Sequence, residues 1–301
     1  MGNPLNNPIA SLYGQLVQAA YSMFQNPQSS DPLKPKPAGI PPGYEFSAWI
    51  QMSDFIFDDE DPKFYGIVVH AVDNPDSRIV AIRGTENAIE WIDDAAAILV
   101  PFRQVPSAGR VAYGFDKIYS TLKVVKYTPP GATAFAVGSV PEAYTGSFAQ
   151  QLEQLAIHRE AERGQVQALA AGEVRPARPM VVTGHSLGSA LATLFVMENS
   201  ARKKFDITAL CTFASPRVGN MEFVHTFNQL PMDSWRIVNT RDVVPKLPFH
   251  VPILFDYGHV DTECSFDSSS FARNSVACWH SLATYLHWLD PSYPVEKDCI
   301  P

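Results

Sequence analysis

Several features that would place this chain in a particular class of protein are missing from its sequence. Acidic residues outnumber basic ones by 31 to 23, and the formal net charge is −8. A nucleic-acid binder normally presents a basic face, so we expect no nucleic-acid partner. No apolar run reaches the roughly 18 residues that a membrane-spanning helix needs, and we expect no transmembrane segment. Internal repeats are also absent.

A signal peptide is not visible at the start of the sequence. Met1-Gly2-Asn3-Pro4 lacks a basic segment followed by a long apolar one. Gly2 suggests myristoylation, but Asn6 stands where that motif requires Ser or Thr. The sequence therefore leaves the compartment open, and secretion is expected only if a native signal was removed.

Cysteine is scarce, with four residues in the chain. Cys211 lies in an apolar, strand-like run and is expected to be a small buried hydrophobe. Cys264, Cys278 and Cys299 lie near the C-terminus, where one disulfide could fix the chain end, but their spacing does not give the pairing. A disulfide implies an oxidising compartment, which conflicts with the lack of a visible export signal.

The composition that remains is ordinary for a globular protein, with 46% hydrophobic and 18% charged residues. A chain of this length can bury a large core, and we expect residues 1–301 to form one domain. Apolar residues at helical spacing predict a first helix over Ile9–Phe24. Two β-rich runs, Gly66–Val72 and Ile79–Arg83, flank a turn at Asp73–Asp76 and predict a hairpin.

From residue 180 onwards, strand and helix patterns alternate. Strands are predicted at 180–183, 207–213 and 235–239, and helices at 190–197 and 223–230. The strands are too apolar for a sheet that faces water on one side. This alternation predicts an α/β fold with a mostly parallel central sheet that is covered by helices on both faces.

Gly184-His185-Ser186-Leu187-Gly188 matches the pattern G-x-S-x-G. The pattern alone is weak, because ordinary Gly and Ser frequencies give about 0.1 matches by chance in a chain of this size. Here it directly follows a predicted buried strand and precedes a helix rich in small residues. That is the setting of a nucleophile elbow, in which a sharp turn lifts the serine above the sheet edge. We therefore take Ser186 as the candidate nucleophile.

A serine needs a base and an orienting acid, and in this kind of fold they follow the serine as acid and then histidine. Asp242 lies just beyond the carboxyl end of a predicted strand, where such groups are found in parallel sheets. Asp233 precedes that strand and lies at the wrong end. Asp256 and Asp261 remain alternatives in an irregular segment.

The histidines after Asp242 are His250, His259, His280 and His287. His280 stands at the start of a helix-like run and could project into the site from a loop. His287 falls inside that run, where an ordinary helix-face histidine is the simpler interpretation. His185 adjoins the serine, but the sharp turn should aim it elsewhere.

An ester hydrolase also needs hydrogen-bond donors for the oxyanion of its tetrahedral intermediate. One is expected from the backbone N–H of Leu187, the residue after the nucleophile. The second should come from a loop after an earlier strand. Arg83-Gly84-Thr85 ends such a strand, and both the amide and the hydroxyl of Thr85 could serve.

Five segments in one order resemble the class 3 (fungal-type) lipases of the α/β-hydrolase superfamily, over about Ile79 to Leu289. They are Ile82–Thr85 followed by Trp91, Val181–Gly188, Phe213–Asn220, Asn239–Pro245 and His280–Leu282. The resemblance implies esterase or lipase activity, a triad of Ser186, Asp242 and His280, and no metal or other cofactor in the chemistry.

The chain departs from the family pattern in three places. Ser189 replaces a common glycine after the elbow, and Ala112-Tyr113-Gly114-Phe115 stands where a histidine before Gly-Phe is frequent. The stretch Thr128–Pro179 is long and could reshape the groove for the acyl chain.

These observations favour a triacylglycerol lipase that acts on a lipid or other ester substrate. Phospholipase A1 and polyester or feruloyl esterase remain alternatives, because the same triad serves any ester. A catalytically silent scaffold of the same fold is the alternative outside enzymes, but such a scaffold has no need to keep Ser186, Asp242, His280 and Thr85 together.

Residues 86–94 form a short amphipathic pattern directly after Thr85. Ile89, Ile92 and Ala96 share helical spacing, while the residues between them are largely charged. One interpretation is a surface helix with its apolar face on the core. The other is a lid over the acyl groove, with Trp91 as a side chain that contacts substrate or the lipid interface.

Overall fold

The computed structural model describes residues 4–25, 35–54, 59–85, 98–128, 144–164, 178–248 and 256–301. The strands are β1 (Tyr44–Asp54), β2 (Asp59–Ala71), β3 (Arg78–Ile82), β4 (Leu99–Pro101), β5 (Arg110–Ala112), β6 (Lys123–Lys126), β7 (Arg178–His185), β8 (Phe205–Phe213), β9 (Gly219–Asn220), β10 (Asp233–Asn239), β11 (Tyr257–Gly258) and β12 (Thr262–Phe266). The α-helices are α1 (Asn7–Gln25), α2 (Tyr113–Tyr119), α3 (Phe148–Glu162), α4 (Leu187–Arg202), α5 (Met221–Phe227), α6 (Val276–His280) and α7 (Leu282–Leu289).

Eight strands form the central sheet in the order β12-β10-β8-β7-β3-β2-β1-β6. The strands from β12 to β3 run parallel, while β2, β1 and β6 extend the sheet in antiparallel pairs. The predicted hairpin is confirmed, because Gly66 of β2 pairs with Ile82 of β3. The carboxyl ends of the five parallel strands share one edge, and this edge holds the candidate site.

Helices cover both faces of this sheet, as the sequence predicts. In β3, Val80 and Ile82 belong to a core that α2, α3 and α4 cover, while Ile79 and Ala81 belong to a second core under α1 and α7. Successive strand residues point to opposite faces, so a strand that is buried on both sides must be apolar throughout. All five residues of β3 are buried, and four of them are apolar; the exception is Arg78 at the start of the strand.

A second, four-stranded sheet of order β11-β9-β5-β4 is antiparallel and was not predicted. Its strands have two or three residues each. Such strands are too short for an alternating pattern to identify them in the sequence.

The C-terminus is joined to α6 by a disulfide between Cys278 and Cys299. Cys211 is a buried free thiol in β8, as predicted, and Cys264 is a half-buried free thiol in β12. Within the described ranges, no helix combines the length and the apolar character needed to cross a bilayer.

Candidate active site

A sharp turn joins β7 to α4 at Ser186. This serine has φ +57° and ψ −126°, which is a backbone conformation that residues other than glycine rarely adopt. The glycines around it are required by space, because a Cβ on Gly184 would collide with the carbonyl of Gly188 and one on Gly188 with the carbonyl of Ile82. Holding a residue in such a conformation costs on the order of 1–3 kcal/mol of folding free energy. Residues strained in this way are concentrated at functional sites.

The structure brings Ser186, His280 and Asp242 into direct hydrogen-bond contact. His280 Nδ1 lies 2.7 Å from Asp242 Oδ2, and His280 Nε2 lies 2.9 Å from Ser186 Oγ. A carboxylate can only accept, so Nδ1 carries the proton of the neutral ring and Nε2 accepts from the serine hydroxyl. The prediction placed His280 in a loop, but it is the last residue of α6. Ser281 has a non-helical backbone conformation and separates α6 from α7.

Both oxygens of Asp242 are held in the protein interior. The Tyr285 hydroxyl donates to Oδ2 at 2.8 Å, and the Val244 N–H donates to Oδ1 at 3.0 Å. Burial and the neighbouring Asp242 charge raise the pKa of Tyr285 well above its usual value, so this phenol stays a donor. Sequence reasoning missed Tyr285, because in an apolar helix it looks like any core aromatic residue.

The alternative acids lie elsewhere. Asp233 is the first residue of β10 and so lies at the opposite end of that strand from Asn239, after which Asp242 follows. Asp256 precedes β11, and Asp261 precedes β12.

The other histidines also have other partners. The Nε2 of His259 is bonded to the Pro245 carbonyl, and Nδ1 of His287 to the Tyr293 carbonyl. His250 lies outside the residues that the structure describes.

His185 points away from Ser186, as expected, but it is part of the site in another way. Its Nδ1 lies 2.7 Å from the Tyr21 hydroxyl, and its Nε2 lies 2.9 Å from the backbone carbonyl of His280. The Tyr21 hydroxyl also accepts the Gly84 N–H at 2.9 Å. Burial, followed by the nearby His280, holds the pKa of His185 well below its usual value. Nothing in the sequence around Tyr21 indicates this role.

The strand exit Arg83-Gly84-Thr85 runs beside the elbow. A Cβ on Gly84 would lie 2.7 Å from Ser186 Cβ, so the backbone here approaches the serine as closely as glycine allows. The Arg83 side chain bonds the Gly84 and Phe64 carbonyls and lies 4.0 Å from the centre of the Tyr65 ring. These contacts fix the loop that leads to the half-buried Thr85.

Leu187 starts helix α4 directly after Ser186, so its N–H is one of the first-turn groups without an acceptor inside the helix. Trp91 and the lid pattern around it lie outside the residues that the structure describes. Among the described residues, no three His, Cys, Asp or Glu side chains are grouped so that they could hold a metal ion.

The family model described as lipase (class 3) matches residues 79–251, which is more than half of the chain. The chain belongs to the class 3 lipase family. Phospholipase A1-II 3 of Oryza sativa subsp. indica is 30% identical to this chain over 225 residues, which cover 69% of the chain and 47% of the rice protein. Phospholipase A1-Igamma2, chloroplastic, of Arabidopsis thaliana is 28% identical over 241 residues, or 70% of the chain and 41% of the relative. The chain thus spans about half the length of the curated relatives it matches.

Solved fungal lipases have the same fold as this chain. The native Rhizomucor miehei lipase propeptide complex superposes with a TM-score of 0.57 at 19% identity, covering 94% of this chain and 78% of the other. Lipase II from Rhizopus niveus gives 0.55 at 18% identity, with 86% and 80% covered. Both the predicted family and the predicted α/β-hydrolase fold are confirmed.

Proposed function

We propose that this chain hydrolyses carboxylic esters of lipids through an acyl-enzyme on Ser186. His280 is the general base and acid, and Asp242 is the orienting carboxylate. The observation that carries the proposal is the His280 ring, which contacts the Ser186 hydroxyl on one side and the buried Asp242 carboxylate on the other.

In the first half of the reaction, His280 Nε2 takes the proton of Ser186 Oγ as this oxygen attacks the ester carbonyl. The carbonyl oxygen becomes an oxyanion, for which we propose the Leu187 N–H and the amide and hydroxyl of Thr85 as donors. Asp242 stabilises the imidazolium that forms. When the intermediate collapses, His280 returns the proton to the leaving alkoxide, and the alcohol departs.

In the second half, a water molecule gives its proton to His280 Nε2 and attacks the acyl carbon of the ester on Ser186. Collapse of the second intermediate breaks the bond to Ser186 Oγ, which regains the proton from His280. The products are a free fatty acid and the resting enzyme, and each proton taken up in one step is returned in the next.

For the substrate we propose a triacylglycerol, in line with the motif resemblance to the fungal-type lipases. The second candidate is a diacyl phospholipid, because the curated relatives at 27 to 30% identity are named as phospholipases A1. Both reactions cleave an acyl ester with the same three side chains, so the difference must lie in the groove and not in the triad.

The test has two stages. A fluorophosphonate probe should label the wild-type chain but not Ser186→Ala, while Ser200→Ala, a serine on the same helix that bonds the Met197 carbonyl, should label normally. Emulsified trioleoylglycerol and phosphatidylcholine vesicles, compared at equal ester concentration, then decide between the two substrates. An unlabelled wild type, or Ser186→Ala with near-normal turnover, would contradict the proposed mechanism.

The lid remains part of this proposal. If Trp91 belongs to a lid or an acyl-binding surface, Trp91→Ala should impair hydrolysis of emulsified long-chain ester more than hydrolysis of a soluble short-chain ester. Equal losses on both substrates would favour the ordinary surface helix.

A further inference from the structure

A polar cavity of about 200 Å³ lies at the opposite end of β3 from the elbow. Three arginines and two glutamates line it, together with three uncharged or weakly basic residues: Arg78, Arg159, Arg163, Glu45, Glu162, Ser47, His70 and Pro75. We call it the arginine pocket. Arg78 opens β3 and Gly84 follows that strand, so six residues at roughly 3.3 Å each separate the pocket from the Ser186 loop by about 20 Å. The proposed ester chemistry does not use it.

Arg78 is a buried cation that forms no ion pair among the described residues, although the charges of Asp76 and Glu160 act on it from a greater distance. Its residue is 2% exposed, Nη1 donates to the Asp76 backbone carbonyl at 2.9 Å, and Nη2 is buried with no hydrogen-bond partner among the described residues. Burial lowers its pKa to about 10, with Asp76 and Glu160 opposing this shift and Arg178 and Arg163 adding to it, so Arg78 remains charged at neutral pH. A buried charge without a close counter-ion is costly, which makes an external anion a suitable partner.

Three carboxylates around the pocket form ion pairs with cations other than Arg78, whereas Glu45 faces the neutral His70. Asp76 pairs with Arg163 at 2.6 Å, and Glu162 pairs with Arg159 at 2.9 Å. Further acidic contacts in the described part of the chain are the ion pairs Lys126–Glu162 and Arg178–Glu160 and the contact of Glu45 with His70 at the exposed rim. Within the described part of the chain, Arg78 is therefore a lining cation that forms no ion pair, and Arg159 Nε is a second buried donor without a partner there.

The pKa of His70 is lowered by its surroundings in the pocket. Its Nδ1 lies 2.6 Å from Ser47 Oγ, inside the pocket. Burial lowers its pKa, Arg159, Arg78 and Arg163 lower it further, and only Glu45 opposes them. His70 is therefore neutral at neutral pH and does not compete with Arg78 for an anion.

We propose that the arginine pocket binds a small tetrahedral oxyanion, with Arg78 at its base and Arg159 and Arg163 beside it. Guanidinium groups suit phosphate because their planar fork donates two parallel hydrogen bonds to neighbouring oxygens. The size of the cavity fits a free ion such as inorganic phosphate, and its distance from the elbow makes the site independent of ester binding.

The experiment measures thermal unfolding of the full chain in sodium phosphate against sodium chloride at equal ionic strength. Phosphate should raise the melting temperature of the wild type by about 2–4 °C or more near saturation, since a ligand that binds only the folded state stabilises it. Arg78→Met should lose this shift and should melt in chloride at or above the wild-type temperature, because the unpaired charge is gone.

Arg236→Met is the matched control. Arg236 is also buried but pairs with Glu263 at 2.9 Å, so its loss should destabilise the fold while the phosphate shift remains. If phosphate and chloride act alike on the wild type, or if Arg78→Met keeps the shift, the proposal is wrong. The same holds if Arg78→Met is destabilised in chloride as much as Arg236→Met.

Titration calorimetry with Arg163→Met, at the more exposed side of the pocket, tests the site without altering the core. We expect phosphate to bind this variant at least about five-fold more weakly than the wild type, as fits the loss of one charge-assisted hydrogen bond. Equal affinity would contradict the proposal. Glycerol 3-phosphate distinguishes the source of the phosphate, and tighter binding than that of inorganic phosphate would overturn the assignment to a free ion.

Discussion

The hydroxyl of Tyr21 lies 2.7 Å from Nδ1 of His185 and ties helix α1 to the elbow. The same hydroxyl accepts the Gly84 N–H, so its own proton goes to Nδ1. The proton of neutral His185 must then lie on Nε2, which donates it to the His280 carbonyl. One chain of hydrogen bonds therefore fixes the strand exit before Thr85 and the backbone of the proposed general base.

We predict that Tyr21→Phe slows ester hydrolysis about ten-fold in kcat with little change in KM. A lost internal hydrogen bond is worth on the order of 1 kcal/mol, and here it would loosen two groups that act in the transition state. Tyr13→Phe is the control, because Tyr13 is a half-buried tyrosine on the same helix with no bond to the site.

The rate of fluorophosphonate labelling should fall in parallel with kcat for Tyr21→Phe. A decrease confined to KM, or an equal loss of activity in Tyr13→Phe, would show that Tyr21 only supports the packing of α1.

The two histidines of the C-terminal segment should behave differently. His280→Ala should lose at least about 10³-fold in kcat, as expected when a triad base is removed. His287→Ala should keep most of the activity, because His287 lies in the last turn of α7 and bonds the Tyr293 carbonyl. Steady-state kinetics on one soluble ester, with circular dichroism to check folding, separates the two, and reversed results would move the base assignment to His287.

The sequence predicts the parts of the site that depend on local constraints. The glycines of Gly184–Gly188, a buried strand before them and a helix after them define an elbow within one short segment, and Asp242 follows from its place after a strand. Tyr21 and Tyr285 could not be found this way. Their bonds to His185 and Asp242 join positions 164 and 43 residues apart, and such contacts arise only from tertiary packing.

The negative charge of Asp242 should stabilise the protonated His280 ring during the reaction. Tyr285 should contribute by holding the Asp242 carboxylate in place. Asp242→Asn should reduce kcat by roughly 10³-fold or more, because the amide no longer stabilises the imidazolium and can hold the wrong tautomer. Tyr285→Phe removes one donor to Oδ2 and should reduce kcat by roughly ten-fold or less.

Tyr293→Phe, a half-buried tyrosine beyond α7, is the control for Tyr285→Phe. The rate of fluorophosphonate labelling adds a second readout, since a loosened Asp242 should slow labelling in parallel with kcat in a protein that is still fully folded. An unaffected Asp242→Asn would instead point to Asp256 or Asp261 as the acid.

His259 should make the folded state sensitive to acid. Burial, followed by Arg236 and Arg217, lowers its pKa to about 3 in the folded protein, against 6.5 when it is exposed. Below pH 6.5 the unfolded chain therefore binds a proton that the folded chain does not, so stability falls as the pH falls towards 3. The slope from one such group is about 1.4 kcal/mol per pH unit.

Asp261 acts in the opposite direction, because burial raises its pKa to about 6 and the folded chain then holds the extra proton. A comparison with His259→Gln isolates the histidine, since glutamine can still donate to the Pro245 carbonyl but does not titrate. In urea unfolding between about pH 6 and pH 4, the wild type should lose stability more steeply than this variant, by up to about 1.4 kcal/mol per unit. Parallel curves for the two proteins would mean that His259 takes up its proton in the folded state, and that the Pro245 contact does not keep it neutral.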